Sequence, residues 1–225
     1  MSTPTTPTAR LIGAAVRASD EGFVNSEKFP GSRKAVEHAL SRLADAGELV
    51  RVRRGLYWRG RETRFGRRPP TAWEVAVAIV GSDGVGPAEW SATNVLGLST
   101  QLPGRETLAI PGRAPTGVSN VRWVSRSARW ARRREALTGL EVAFLEALEG
   151  FERFVELPAA EATDRLVEFL HSGQVRPASL VRAAETEPPR TRRRLRDLLN
   201  RAGLETLAAS VPDAPTARPL LAFAA

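Results

Sequence analysis

Between residues 32 and 59 the hydrophobic pattern changes period once, and that change predicts a helix followed directly by a β-hairpin. Val36, Ala39, Leu40 and Leu43 recur at helical spacing and make one apolar stripe. Ser32 can cap that helix with its hydroxyl, and Gly47 can close it in the left-handed conformation. With about 100° between successive residues, Lys34, Glu37, His38, Ser41, Arg42 and Asp45 fall on the opposite, polar face. Beyond Gly47 the alternation is that of a strand. Val50 and Val52 alternate with Arg51 and Arg53, Arg54-Gly55 makes a tight turn, and Leu56-Tyr57-Trp58 runs back. The arginines are expected along one outer face of the hairpin.

Upstream, a helix is expected over residues 9–18, with Leu11, Ile12, Ala15 and Val16 on one face, broken by Ser19-Asp20-Glu21-Gly22. Phe23-Val24 can form a short strand. Asn25 or Ser26 can cap a single turn over residues 27–29, and Pro30-Gly31 supplies the turn before the central helix. Helix, short strand, short helix, helix and hairpin, in that order, are the parts of a winged helix-turn-helix over residues 9–60. The competing reading is an ordinary amphipathic helix with a solvated face and a surface hairpin.

Residues 60–70, GRETRFGRRPP, read as a linker that cannot continue a strand or helix, with 61–70 as the domain boundary. Its charges either track a DNA backbone or are merely solvated. A helix is expected from Pro69-Pro70-Thr71 to Val80, with Trp73, Val77 and Val80 or Ala76 facing inward. A loop over 81–86 leads to a helix over 87–96 ended by Gly97, and two runs, 106–110 and 118–125, read as paired strands. Helices follow over 137–148, 160–171, 177–185 and 189–202. The expected fold class is α+β: a winged helix-turn-helix, then a mixed α/β domain over 71–210 that ends in helices, with tails at 1–8 (disordered) and 211–225.

Composition narrows the chemistry. The 225 residues carry no cysteine, which removes disulfides and thiolate chemistry and points to the cytoplasm. No apolar run is long enough for a membrane span. The net charge of +8 favours a polyanionic partner, although only Lys28 and Lys34 are lysines, so the arginine excess also reflects codon usage. Residues 1–60 carry 10 basic and 6 acidic groups, residues 61–134 carry 12 and 5, and residues 135–225 carry 11 and 14, so the basic surplus belongs to the first 134 residues. His38 and His171 stand apart from other ligand types, so no metal is expected. GSDGVG lacks the Lys and Ser/Thr of a phosphate-binding loop. Both lysines precede residue 35, which argues against a nuclease that needs a catalytic lysine. Neither an enzyme nor a cofactor is expected.

Two segments, SRKAVEHALSRLADAGELVRVRRGLYW and SATNVLGLSTQLP (residues 91–103), resemble in sequence and order the AbiEi family of antitoxins, over roughly residues 9–170. The resemblance implies a winged helix that binds inverted repeats in the promoter of its own operon and represses it. It further implies a C-terminal domain that counteracts an AbiEii-like nucleotidyltransferase toxin, directly or only functionally, in a type IV, abortive-infection system. A monomer in solution that binds double-stranded DNA cooperatively is expected. The DNA-binding candidates are Arg33, Lys34, His38, Ser41 and Arg42 on the helix and Arg51, Arg53 and Arg54 on the wing.

Ser99, Thr100 and Gln101 form either a cap-and-turn that locks helix to sheet or a surface that recognises the toxin or its substrate. Arg132, Arg133 and Arg134, with Arg129, precede a helix, where positive charge opposes the macrodipole. They read as an antitoxin or nucleic-acid surface, or as a solvated connector. Arg190, Arg192, Arg193, Arg194 and Arg196 read as a solvated helix face or as a docking face for an acidic toxin or RNA. Two other functions remain open: a stand-alone winged-helix regulator with a ligand-sensing C-terminal domain, and a toxin-sequestering protein with incidental DNA affinity.

Overall fold

The structure is a computed structural model and describes residues 7–19, 22–60, 62–118 and 120–213. Asp20, Glu21, Arg61 and most of the two expected tails lie outside the described residues. The chain forms two compact units, Met1–Ile79 with Thr116–Ser119, and Val80–Pro115 with Asn120–Ala225. The architecture is α+β.

The first unit begins with α1 (Pro7–Ala18), β1 (Gly22–Asn25), a 3₁₀ turn (Ser26–Lys28), α2 (Arg33–Asp45), β2 (Val50–Arg53) and β3 (Leu56–Arg59). Local chemistry sets the ends. The Asn25 side chain accepts from Glu27 N–H, the Ser32 hydroxyl accepts from Ala35 N–H, and Gly47 takes a φ of 76° after α2. Ile12 and Val16 of α1 pack with Val36, Ala39 and Leu40 of α2, with Leu49, and with Val24 and Tyr57 of the sheet. Leu11 is 72% exposed and Ala15 is exposed, so the apolar face of α1 is narrower than its pattern suggests. The core covers Ile12 and Val16 fully and Ala9 in part.

The sheet has the order β1-β3-β2, antiparallel throughout, with Tyr57 opposite both Val24 and Arg51. The β2–β3 register shifts between Arg51 and Arg53, and Arg53 pairs with Leu56. Adjacent residues of β3 point to opposite faces, so Arg51 shares the Tyr57 face and Arg53 lies on the other. The expectation that the hairpin arginines line one face is thereby corrected, because Val52 forms a bulge that breaks the alternation. Gly55, at φ 77°, closes the hairpin where a Cβ would stand 2.9 Å from Ser26 Oγ, and its carbonyl accepts from Ser26 N–H. The hairpin tip is held against the 3₁₀ turn.

Residues expected to be an irregular linker form a second small ribbon, β4 (Glu62–Thr63) paired with β5 (Gly66–Arg67). The chain folds back because its cations find partners in the first unit. The Arg67 guanidinium donates to the carbonyls of Gly47 and Gly60, Arg68 donates to Glu74 and lies over Trp58, and the Trp58 indole donates to the Arg68 carbonyl at 2.8 Å. Arg67 and Arg68 therefore do not extend the hairpin as loose positive charge. In α3 (Ala72–Val80), Thr71 and Glu74 cap one another reciprocally. Its buried line is Ala72, Val75 and Ala76, whereas Val77, expected inside, is 38% exposed.

The second unit contains β6 (Gly86–Pro87), α4 (Trp90–Val95), β7 (Thr107–Ile110), β8 (Arg122–Ser125), α5 (Ala131–Arg134), α6 (Gly139–Glu149) and α7 (Phe151–Phe154). It continues with α8 (Ala159–His171), α9 (Pro177–Ala183) with a 3₁₀ turn (Ala184–Thr186), α10 (Pro189–Arg201) and α11 (Glu205–Ala209). Pro87 pairs with Leu108 in the sheet, so the helix expected from residue 87 starts only at Trp90. β7 and β8 pair in parallel, with Thr107 opposite Arg122 and Ile110 opposite Ser125. Helix α6 is the centre of this unit. Residues 141–148 are all buried, and the helix packs against α4, β6 and α10. Val211 is buried and the Asp213 carbonyl accepts from Arg192, so residues 211–213 belong to the packed unit and not to a tail.

Candidate functional site

The polar face of α2 and the hairpin enclose one hollow of about 190 Å³ lined by Lys34, Glu37, His38, Ser41, Arg51, Arg54, Gly55 and Tyr57. The helix contributes an i, i+3, i+4, i+7 set, and the Tyr57–Arg51 pairing turns Arg51 toward the same side. Glu37 organises the rim: Arg33 Nε donates to it at 3.0 Å and Arg54 approaches at 3.5 Å. The hydrogen bond from Arg33 holds the Glu37 carboxyl below its usual range, against partial burial and with help from Arg54. Lys34, His38 and Arg51 have no hydrogen-bonded or ion-paired partner among the described residues. Arg53 is on the opposite sheet face, and Arg42 lines a different groove with Arg10, Arg17 and Glu48.

Arg132 is not at the surface. It is fully buried, donating twice to Glu187 at 2.6 and 2.9 Å and once to Glu146 at 2.7 Å. Arg126 and Arg129 converge on the same Glu146. The single turn of α5 directs Arg132 inward while Arg133 and Arg134 stay exposed, so the expected surface at residues 132–134 loses its first member. Arg134 is ion-paired to Glu135 and Glu185. Burial alone would raise the Glu146 carboxyl, but Arg132, Arg126 and Arg129 outweigh it and hold the value at about 2. One sequence signal pointed there: Glu146 interrupts an otherwise apolar run in a helix buried on all sides.

Ser99, Thr100 and Gln101 wrap a carboxylate. Glu156 accepts from Ser99 Oγ at 2.8 Å, Thr100 N–H at 2.9 Å and Gln101 Nε2 at 2.9 Å. Those bonds, Ser99 first, hold its carboxyl down at about 2. The motif thus joins the end of α4 to the segment after α7, a partner that lies far along the chain and carries no local signal. Gly97, at φ 66°, admits the Arg165 guanidinium, which would stand 2.6 Å from a Cβ there and donates to the Leu96 carbonyl.

Residues 21–115 match DUF6088, a family of unknown function. That stretch contains α2, both hairpins and the Ser99–Gln101 motif. No curated protein matches the chain in sequence. In structure it is similar to the crystal structure of the RV2827C protein from Mycobacterium tuberculosis, at 19% identity over 92% of this chain and 82% of that chain, with a TM-score of 0.51. This likeness concerns the fold.

Both units hold bonded and unpaired arginines, but the bonded share is larger in the second. In the second unit Arg122, Arg176, Arg182 and Arg201 pair with carboxylates, like the buried group around Glu146. Arg192, Arg194 and Arg196 of α10 donate to carbonyls, so only Arg190 and Arg193 of the expected solvated face are without such bonds. In the first unit Arg10, Lys28, Lys34, Arg42, Arg51 and Arg53 have no partner among the described residues. The described residues contain no group of acidic, histidine or cysteine side chains that could hold a metal, and no helix long and apolar enough to cross a membrane.

Proposed function

We propose that the first unit is a winged helix-turn-helix that binds and represses the promoter of its own operon, and that the chain is the antitoxin of a nucleotidyltransferase toxin countered through the second unit. The observation that carries the DNA half is the clustering of unpaired positive charge on α2 and its hairpin, whereas most arginines of the second unit are internally bonded, Arg105, Arg113, Arg190 and Arg193 excepted among the described residues. Lys34, His38 and Ser41 supply donors and acceptors to base edges, and the unpaired Arg51 on the wing supplies charge to phosphates, beside Arg54, which is shared with Glu37. The antitoxin half rests on the resemblance to the AbiEi family. The protein then acts in the cytoplasm, without a cofactor and without catalysis of its own.

Fluorescence anisotropy of the full chain on the duplex upstream of its own gene, against a scrambled duplex, tests the first half. Tighter binding to the native duplex, weakened by Lys34→Ala, is expected; equal binding to both would overturn promoter recognition. For the second half, co-expression with a toxin encoded by the adjacent reading frame should restore growth, and failure at every expression level would remove the antitoxin role.

A second reading, a regulator that senses a small molecule, is favoured by a cleft of about 470 Å³ in the second unit. Its lining combines Leu148, Phe151, Leu166 and Leu198 with the polar Thr163, Arg194, Asp197 and Arg201. A neighbouring gene without a nucleotidyltransferase would put that reading first.

A further inference from the structure

We propose that the groove between α1 and α2 is a separate phosphate-contact site, in which Arg10 and Arg42 hold the DNA strand opposite the one met by the hairpin. This rests on α2 being the helix that enters the major groove. At about 100° per residue, Arg42 lies roughly 80° around α2 from Lys34, on the side away from Glu37 and Arg54. The groove there encloses about 360 Å³ and includes Arg10, Arg17, Arg42 and Glu48 in its lining. Arg17 is neutralised, donating to both Glu48 oxygens at 2.7 and 3.0 Å. Arg10 and Arg42 are left, both exposed and neither with a partner among the described residues.

Two uncompensated guanidinium groups beside one hollow call for an anion. A helix about 10–12 Å across with its side chains fills a major groove about 12 Å wide, so both flanks of an inserted helix meet phosphates. Arg51 and Arg54 stand on one flank of α2, and Arg42 with Arg10 on the other. Arg42 accordingly positions the helix, and sequence reading falls to Lys34, His38 and Ser41.

The test uses the full chain, folded by circular dichroism, on the native and scrambled duplexes across a salt series. Arg10→Ala and Arg42→Ala should each weaken binding to both duplexes by the same factor and lower the slope of log K against log salt by roughly one. Arg42→Lys should restore most of the loss, because a phosphate needs charge but not the planar fork that a guanine edge requires. A changed native-to-scrambled ratio in Arg42→Ala with an unchanged slope would make Arg42 a base reader and overturn the site. Unaltered binding would overturn it too, as would loss of self-association seen by sedimentation, which would make the groove a contact between copies. If the wild-type chain itself shows no salt-dependent binding, the DNA reading of α2 has failed; if only the two variants behave as wild type, the groove assignment alone has failed.

Discussion

A carboxylate inside a helix buried on all sides requires a cation, and Glu146 has three, of which Arg132 is wholly enclosed. Removing Arg132 leaves Glu146 and Glu187 buried with less compensation, so Arg132→Met should destabilise the fold by about 3–5 kcal/mol. Urea unfolding would measure this; a loss below about 1 kcal/mol would mean that Arg126 and Arg129 suffice. Depressed carboxylates, Glu146 among them, also shape the response to acid. Glu146 and Glu156 both have depressed carboxyl values, about 2 in each case. Their stabilisation is fully present above the unfolded carboxylate range and is lost as pH falls from about 4.5 through about 2. The melting temperature should accordingly be insensitive to these groups between neutral pH and pH 5 and should drop below 4.5. Glu156→Gln should start lower and fall less steeply. A Glu156→Gln chain with the wild-type acid profile would show that the Ser99–Gln101 motif does not couple to folding.

At the level of elements, α2 depends on its first turn, where Ser32 supplies the cap for Ala35 N–H. Ser32→Ala should lower stability by about 1 kcal/mol, and a melt of the variant matching wild type would assign the start of α2 to packing alone. The ends and buried line of α2 were legible in sequence because Ser32, Gly47 and the Val36–Leu40 spacing act locally. The hairpin was legible only in part: its two strands follow from alternation, but the bulge at Val52 separates Arg51 from Arg53 and arises from pairing with β3, which no window of sequence contains. The ribbon at residues 62–67 was missed for the same reason, since it forms around long-range partners of Arg67 and Arg68. In the second unit the helices 139–149 and 159–171 follow from periodicity. The parallel pairing of β7 with β8 does not, because apolar alternation is blind to strand direction. Arg132 reads from sequence as a surface or connector residue because the carboxylate that holds it inside, Glu187, lies 55 residues away.

For the whole molecule, net charge predicts a polyanionic partner but not where it binds, and counting charges by segment does not separate paired from unpaired cations. Residues 61–134 carry the largest basic surplus in sequence, yet Arg67, Arg68, Arg122, Arg126, Arg129, Arg132 and Arg134 within them are bonded inside the protein, while Arg105 and Arg113 are exposed without bonded partners among the described residues. A paired guanidinium releases few counterions on meeting DNA, because its field is already compensated. On the proposed DNA reading, the salt dependence should therefore come mainly from the clustered unpaired cations of the first unit, although the second unit contains more arginine. Arg190 and Arg193 provide the comparison, being exposed on α10 without bonded partners among the described residues. If the second unit stays off the DNA, the double variant Arg190→Ala/Arg193→Ala in the full chain should keep the wild-type slope of log K against log salt. Arg51→Ala should lower that slope by roughly one. An equal fall in both would place α10 on the nucleic acid and undo the assignment of repression and toxin neutralisation to separate units. A wild-type slope in the α10 variant together with impaired growth rescue would instead locate the toxin-facing surface at the start of α10.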